Sequence, residues 1–292
     1  MKGLKPFKKR WIYQSLGITK QAYYQRIKAE NTLEHQHEIV LKMVAEIRQE
    51  RRKTGTVKLY EEIAPKLQEN GIKMGRNKLN SLLRFHGMLV KKTKRFHITT
   101  DSKHGFYKSP NRIKELEITH AEQALVADIT YIKTDLGHTY LALVTDLYSK
   151  KIMGYAYADH MKVELVLDAL KIAKKNCKFH FKDMIHHSDR GIQYCCPAFS
   201  EYAERNGFVL STTQQSDPYE NAVAERINGI LKYEFGLKET IKNKEIASKM
   251  IAQAVRIYNE KRLHWSLQFR TPEEAHNSYN EAKYVSYKRK NP

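Results

Sequence analysis

The sequence predicts a mixed α/β domain that is preceded by an all-helical region. Residues 1–90 repeat apolar side chains at helical spacing. Residues 124–134, 139–149 and 150–158 instead look like three successive antiparallel strands, after which helical and strand patterns alternate. That succession is typical of a mixed sheet covered by helices. A chain of 292 residues is long enough for two domains.

The N-terminal region is predicted to contain several helices. Residues 11–29 form two short helices around a turn at Gly17, and Thr19 is placed to cap the second helix. A helix-turn-helix and a plain helical hairpin both fit this pattern. Further helices are expected at 35–50, 57–69 and 76–86. Pro65 is expected to kink the second of these helices.

Charge is distributed unevenly along the chain. Residues 1–120 hold 27 basic and 11 acidic side chains, net +16, whereas residues 121–292 carry net +4. Lys and Arg displace condensed counterions from phosphates, so nucleic acid is the favoured partner, and a merely solvated basic surface is the alternative. Residues 91–120 are predicted to be a basic linker that follows a ligand backbone, and residues 276–292 a basic C-terminal tail.

Several classes of protein are disfavoured by the composition. No stretch approaches about 18 consecutive apolar residues, and no apolar signal segment follows the N-terminus, so no membrane association is predicted. Cys177, Cys195 and Cys196 are too few for a disulfide framework and suit a reducing cytoplasm. Neither a zinc-ligand spacing nor a phosphate-binding GxxxxGK[ST] loop occurs.

Residues 121–275 are predicted to form the α/β domain. After the three strands we expect helices at 161–176, 197–206, 219–235 and 244–261, and strands at 183–189 and 208–213. Asp128 interrupts an apolar strand, Asp189 ends a short strand, and Glu225 lies on a helix. Exposed acids at strand ends would be the ordinary interpretation of any one of them alone.

The helix that carries Glu225 has one polar face. Asn221, Glu225, Asn228 and Lys232 recur along it at spacings of about one helical turn. Carboxylates that come together from separate elements repel one another unless a cation lies between them. Hard oxygen ligands favour Mg²⁺ or Mn²⁺, and two such ions about 4 Å apart can activate an attacking oxygen and stabilise a leaving one.

Four segments of the chain resemble a known family. They are ADITYI, DLYSKKIMGYA, HHSDRGIQY and ENAVAERINGILKYE. These resemble the catalytic core of DDE transposases and retroviral integrases, most closely the OrfB-type transposases of bacterial insertion sequences. The 35 residues between Asp189 and Glu225 match the spacing of that family. The resemblance is strong over 121–275 and looser over 12–110, and it implies an RNase H-like catalytic domain behind a helical DNA-binding region.

The resemblance also implies roles for individual residues. Asp128, Asp189 and Glu225 become a metal-binding catalytic triad with two Mg²⁺ ions, whereas Asp146 matches a position that is not catalytic. On the Glu225 helix, Lys232, Asn221 and Arg226 are expected to contact DNA. The linker residues with the same expected role are Lys91, Lys92, Lys94 and Arg95.

The expected activity is metal-dependent cleavage and joining of insertion-sequence ends in double-stranded DNA. A homo-oligomer would hold the ends and the target together, and an upstream helix-turn-helix product is a possible fusion partner. The expected location is the bacterial cytoplasm, at the nucleoid. Two other functions fit the sequence: a catalytically silent DNA-binding regulator of transposition, and an RNase H-like nuclease. Strand-transfer activity with Mg²⁺ separates the first from a transposase, and substrate competition separates the second.

Overall fold

The computed structural model describes residues 9–90, 105–179, 183–214 and 220–278. Lys91, Lys92, Lys94 and Arg95 of the predicted linker lie outside the described residues, as does most of the predicted C-terminal tail. The chain divides into two compact units. One contains residues 1–50 and 54–91, and the other contains residues 51–53 and 92–292. Each unit is described by itself.

The first unit is helical, in agreement with its apolar periodicity. Its helices are α1 (Lys9–Ser15), α2 (Lys20–Glu50), α3 (Thr56–Glu69) and α4 (Arg76–Phe85). Apolar side chains of α2, α3 and α4 form one buried core, which includes Val40, Val44, Leu59, Ile63, Leu67, Leu79, Leu82 and Leu83. Pro65 lies inside α3, and the helix continues to Glu69.

The turn between α1 and α2 has the chemistry that the sequence predicts. Gly17 has φ +64°, and the Ile18 N–H donates to the Tyr13 carbonyl at 3.1 Å, which closes α1 with a left-handed residue. The Thr19 hydroxyl accepts the Ala22 N–H at 3.1 Å and caps α2. The predicted break before residue 35 is wrong, because α2 is one helix of 31 residues. Residues 30–34 contain neither Gly nor Pro, so nothing terminates the helix there.

The second unit is built on a five-stranded mixed sheet. Its strands are β1 (Ala124–Thr134), β2 (Gly137–Asp146), β3 (Ile152–Ala158), β4 (Met184–Ser188) and β5 (Phe208–Thr212). The order in the sheet is β3-β2-β1-β4-β5. The first three strands pair antiparallel, and β4 pairs parallel with both β1 and β5. The predicted mixed α/β fold is confirmed.

Helices cover both faces of this sheet. They are α5 (Val163–Asn176), α6 (Ile192–Cys195), α7 (Pro197–Arg205), α8 (Ala222–Glu234), α9 (Lys244–Lys261) and α10 (Pro272–Asn277). A single 3₁₀ turn, Trp265–Leu267, lies between the last two. One core packs α5 and α7 against Leu125, Ala127 and Ile129 of β1. The other packs α8 and α9 against Ile132 of β1 and Leu141 and Leu143 of β2.

Gly154 allows α5 to approach the sheet closely. A Cβ atom at this position of β3 would collide with the backbone oxygen of Ala169 and the backbone nitrogen of Ala173. Both alanines lie on α5 and are fully buried. Glycine is therefore required here by the packing distance between helix and strand rather than by a turn.

Part of the predicted linker is attached to the edge of the sheet. Residues 105–120 contain no helix or strand. The Ser109 carbonyl accepts the Thr212 hydroxyl at 2.7 Å, and the Arg112 N–H donates to Ser211 Oγ at 2.9 Å. These contacts place residues 109–112 along β5, an edge strand of the sheet. This stretch follows the protein's own strand, whereas the sequence predicted a linker along a ligand backbone.

Candidate active site

Asp128 lies on the α8 side of β1. Its sequence neighbours Ala127 and Ile129 point into the core beneath α5, and since successive side chains of a strand alternate, Asp128 points the other way. The residue is half-buried. Its carboxylate accepts the Asn228 side-chain amide at 2.8 Å, which ties β1 to α8.

The parallel pairing of β1 and β4 brings Asp189 to Asp128. Leu125 pairs with His186 and Val126 pairs with His187, so the same register carried onward sets Asp128 beside Asp189. Asp189 directly follows β4, and its Oδ1 accepts the Gly191 N–H at 3.0 Å. Two carboxylates thus leave adjacent parallel strands at the same level.

The electrostatics around Asp128 show that three carboxyl groups converge. Burial, together with the negative charges of Asp189 and Glu225, raises the pKa of Asp128 to about 7, against the lowering effect of the Asn228 hydrogen bond. The same negative charges contribute, behind burial, to a raised pKa at Tyr194 and Cys195 of α6: Asp128 and Asp189 act on Tyr194, and Asp189 acts on Cys195. The site is therefore a concentration of negative charge.

Helix α8 presents Glu225 between two asparagines that hold the helix to β1. Glu225 is exposed, whereas Asn221 and Asn228 are 5% and 4% exposed. Asn221 donates its amide to the Ala127 carbonyl at 3.0 Å, one residue before Asp128. The DNA contact predicted for Asn221 is therefore replaced by a contact with the sheet, because its side chain is buried there. Asn228 belongs to the polar face seen in the sequence, but its contact with Asp128 was not predicted.

Lys232 continues the same face of α8 toward Tyr131. Its ammonium lies 3.8 Å from the centre of the Tyr131 ring, a cation–π contact with a residue three positions after Asp128. Burial lowers the pKa of Lys232 to about 8, although the Asp128 charge acts in the opposite direction. Lys232 is thus the cation that the helix places nearest to the converging carboxylates. Arg226 is exposed and lies on a different face of α8.

His186 and His187 lie beneath the carboxylates, and both are buried. His186 contacts the rings of Tyr194, Phe199 and Phe208, and burial lowers its pKa to about 3. His187 hydrogen-bonds Ser211 and the Glu220 carbonyl, and burial lowers its pKa to about 4. Both imidazoles are therefore neutral at physiological pH.

A second pair of acidic residues, Glu122 and Asp146, is fully buried. Asp146 accepts the Glu122 N–H, the Ser149 N–H and the Ser149 hydroxyl at 2.6–2.7 Å. Glu122 accepts the backbone N–H groups that follow α5, from Lys178 at 2.6 Å and Phe179 at 2.9 Å. His276 lies between them, 3.2 Å from Glu122 Oε1 and 3.7 Å from Asp146 Oδ2. These hydrogen bonds are consistent with a structural role for Asp146.

The converging carboxylates have the chemistry of a metal site without being closed into one. In the part of the chain that the structure describes, no three His, Cys, Asp or Glu side chains are arranged to hold a metal ion. Asp128, Asp189 and Glu225 offer only oxygen donors, which fit a hard divalent cation. The raised pKa of Asp128 shows that a positive charge at this place would relieve the repulsion. The donor set therefore fits the predicted ion.

The described helices include none that is long and apolar enough to cross a membrane.

Two Integrase core domain families match the chain, one over residues 118–218 and the other over residues 206–272. Among solved structures, the HTLV-2 integrase catalytic core domain is 17% identical, covering 54% of this chain and 97% of that chain with a TM-score of 0.44. The BIV integrase catalytic core domain is 18% identical, covering 56% and 99% with a TM-score of 0.42.

The relatives in sequence are proteins of insertion elements. The 31 kDa protein of insertion element IS600 from Shigella sonnei is 34% identical over 256 residues, which covers 86% of this chain and 92% of the relative. The transposase InsF of IS3A from Escherichia coli K12 is 30% identical over 184 residues, which covers 62% of this chain and 64% of the relative. The IS629 transposase of Shigella sonnei is 34% identical over 158 residues, which covers 54% of this chain and 53% of the relative. The predicted RNase H-like fold class is confirmed. Members of the matching family are polynucleotidyl transferases that generally depend on divalent metal ions. The chain belongs to this family, the insertion-sequence transposases with an integrase core domain.

Proposed function

We propose that this transposase cleaves and joins insertion-sequence ends with Asp128, Asp189 and Glu225 as its catalytic carboxylates. One observation carries the proposal: the charges of Asp189 and Glu225 both raise the pKa of Asp128, although the three residues come from β1, the end of β4 and α8. Three carboxyl groups gathered from separate elements repel one another, and a shared cation is the usual reason for such a cluster.

The three carboxylates would hold two Mg²⁺ ions, for which Mn²⁺ would substitute. When bound, such ions neutralise the phosphodiester and lower the pKa of the attacking oxygen. The protein supplies the positions: β1 and β4 fix the two aspartates, and α8 carries Glu225. Asn228 fixes the orientation of the Asp128 carboxylate through its amide.

The reaction consists of two in-line displacements at phosphorus. Attack by water breaks a phosphodiester at the element end and leaves a 3′ hydroxyl. That hydroxyl then attacks a second phosphodiester, and no covalent bond to the protein forms. Lys232 lies near Asp128, on the same face of α8 as Asn228. It would bind a DNA phosphate next to the scissile one. Arg226 and the linker residues Lys91, Lys92, Lys94 and Arg95 would contact the DNA backbone farther away.

The substrates would be double-stranded DNA, both the element ends and the target. Bringing these segments together requires more than one protomer, so we propose a homo-oligomer, with an upstream helix-turn-helix product as a possible fusion partner. The basic N-terminal region would provide most of the phosphate contacts, because it carries most of the net positive charge. The place of action would be the bacterial cytoplasm, at the nucleoid.

The test replaces Glu225 by Gln and measures cleavage and strand transfer on duplex DNA that carries the element ends, with Mg²⁺. Glu225→Gln keeps the size of the side chain and removes its charge, so we expect a loss of at least about a thousandfold in rate with DNA affinity nearly unchanged. Glu164→Gln is the matched control, because Glu164 is exposed on α5, which packs on the opposite face of the sheet. Near wild-type cleavage by Glu225→Gln would exclude Glu225 from the catalytic set. A wild-type protein that binds DNA and forms no product would be a silent regulator.

A further inference from the structure

The buried ring of His187 joins three separate elements of the core. It belongs to β4, its Nδ1 lies 2.8 Å from Ser211 Oγ on β5, and its Nε2 lies 3.0 Å from the backbone oxygen of Glu220. Glu220 stands two residues before α8 begins. One imidazole therefore connects the strand that leads to Asp189 with the start of the helix that carries Glu225.

The hydrogen bonds assign the tautomer of this ring. A backbone carbonyl can only accept, so Nε2 must carry the proton that is donated to Glu220. Nδ1 is then an acceptor, and the Ser211 hydroxyl donates to it. Ser211 Oγ in turn accepts the Arg112 N–H at 2.9 Å. The result is a directed chain of three hydrogen bonds from residue 112, through β5 and β4, to the carbonyl of Glu220.

The start of α8 makes further contacts with the sheet and with the segment that follows β5. The Gln214 N–H donates to the Glu220 carboxylate at 2.5 Å, and the Asn221 amide donates to the Ala127 carbonyl at 3.0 Å. The Glu225 N–H donates to the Asn221 carbonyl at 3.2 Å in the first turn of the helix, so the position of Glu225 follows that of Asn221. A displacement of residues 220–221 would therefore move the Glu225 backbone directly.

We propose that His187 is a positioning residue, which holds the first turn of α8, and with it Glu225, against β4 and β5. The proposal rests on the catalytic role proposed for Glu225. It also assigns a role to the attached part of the linker, because Arg112 orders Ser211, and the Ser211 hydroxyl donates to Nδ1 of the tautomer that the Glu220 carbonyl selects. The position of residues 109–112 on β5 is in this way coupled to the position of Glu225.

Two substitutions of His187 separate its two hydrogen bonds. His187→Gln places an amide group where Nε2 was and keeps a donor for the Glu220 carbonyl. His187→Asn places its amide where Nδ1 was, toward Ser211, and is too short to reach Glu220. Both are polar and smaller than histidine, so a general effect on core packing would appear in both. Ser211→Ala keeps the ring and removes the hydroxyl that donates to Nδ1, so we expect faster exchange of the α8 amides than in wild type. Ser200→Ala is the control, since Ser200 Oγ donates within α7 to Cys196.

The first measurement does not use activity. In the full-length protein, ¹⁵N NMR of labelled histidine should show His187 as the neutral Nε2–H tautomer, and Ser211→Ala should retain it, because the Glu220 carbonyl accepts only from Nε2–H. Hydrogen exchange of the amides in residues 222–226 should be about tenfold faster in His187→Asn than in wild type, and within about threefold of wild type in His187→Gln and Ser200→Ala. Amides of β1–β3 should remain equally protected in all variants.

The second measurement is steady-state cleavage of element-end DNA. We expect His187→Asn to lower kcat about tenfold with KM for DNA unchanged within about twofold, and His187→Gln to recover most of the rate. An Nδ1–H tautomer in wild type, or unchanged α8 exchange in His187→Asn, would overturn the proposal. If His187→Asn does not fold, unchanged exchange of the α8 amides in Ser211→Ala would overturn it as well. Wild-type cleavage by Glu225→Gln with the expected exchange pattern would instead refute the catalytic role of Glu225 and leave the anchoring of α8 standing.

Discussion

The core contains two acidic clusters that differ in how their charges are balanced. In the open acidic cluster, Asp128, Asp189 and Glu225, the charges of Asp189 and Glu225 raise the pKa of Asp128, while Asn228 donates to Asp128 and the Gly191 N–H donates to Asp189. In the closed acidic cluster, Glu122 and Asp146, five donors and His276 surround the two carboxylates. Hydrogen-bond donors stabilise a buried carboxylate, whereas carboxylates that repel one another are stabilised by a cation. The surroundings of the carboxylates, rather than the acidic residues themselves, thus distinguish a structural site from a candidate metal site.

The largest expected difference between the clusters is in catalysis. Asp128→Asn should abolish cleavage, by at least about a thousandfold, because it removes a carboxylate from the metal-binding set. Asp146→Asn should retain most of the rate per folded molecule. A thermal shift assay gives a second readout: Mg²⁺ should raise the melting temperature of wild type and of Asp146→Asn but not of Asp128→Asn. Equal loss of activity in both folded variants would remove the distinction between the clusters.

The next largest effect is on the free energy of unfolding, and it should have opposite signs in the two clusters. Asp146→Asn replaces a carboxylate that accepts three hydrogen bonds, so we expect the free energy of unfolding to fall by about 2–4 kcal/mol. The pKa of the Asp128 carboxyl is raised by burial and by like charges, so its ionised form destabilises the fold. Asp128→Asn removes this charge, and the metal-free protein should be as stable as wild type or more stable. Urea unfolding at pH 7.5 without metal measures both. A destabilised Asp128→Asn would show that the Asp128 charge is already balanced.

Lys232 is a cation of α8 that lies near Asp128 of the open acidic cluster, and its loss should have an intermediate effect. Lys232→Met keeps most of the length of the side chain and removes the ammonium that lies over the Tyr131 ring. We expect KM for element-end DNA to rise about tenfold, and the slope of log K for DNA binding against log salt to fall by about 1. Lys175→Met is the control, because Lys175 is exposed on α5, which packs on the opposite face of the sheet. Equal effects of the two substitutions would mean that Lys232 acts only through net charge.

The smallest effect concerns the pH dependence of the closed acidic cluster. Burial lowers the pKa of His276, but its hydrogen bonds with Asp146 and Glu122 raise it by more, so the net shift is upward; Lys151 opposes it. A group whose pKa is raised by folding contributes stability below its unfolded pKa of about 6.5, and this contribution is lost as the pH rises through the folded pKa. His276→Gln should therefore lose about 1 kcal/mol more relative to wild type at pH 6 than at pH 8.5. A pH-independent difference in urea unfolding would show that His276 is neutral in the folded protein.

Local patterns predicted most of the elements because each depends on neighbours in the sequence. The spacing of apolar residues predicts α9 at 244–261, and the structure has Lys244–Lys261. The Thr19 cap and the Gly17 turn depend on contacts within about four residues. The wrong break within α2 came from reading a polar stretch as a helix end although it contains no helix-terminating residue.

The sequence by itself determined the strands, the helices and the candidate carboxylates of this transposase. Only the tertiary structure decided which polar side chains face the carboxylates: Asn221 turned from a predicted DNA contact into a bond with Ala127, and Asn228 acquired Asp128 as its partner. The tertiary structure also decided that partners surround the Asp146 carboxylate, among them the Glu122 N–H and His276 near the end of the described chain. The physical reason is that these donors and acceptors meet across separate elements. Hydrophobic periodicity specifies which face of an element is buried, but not which polar atom of another element lies against it.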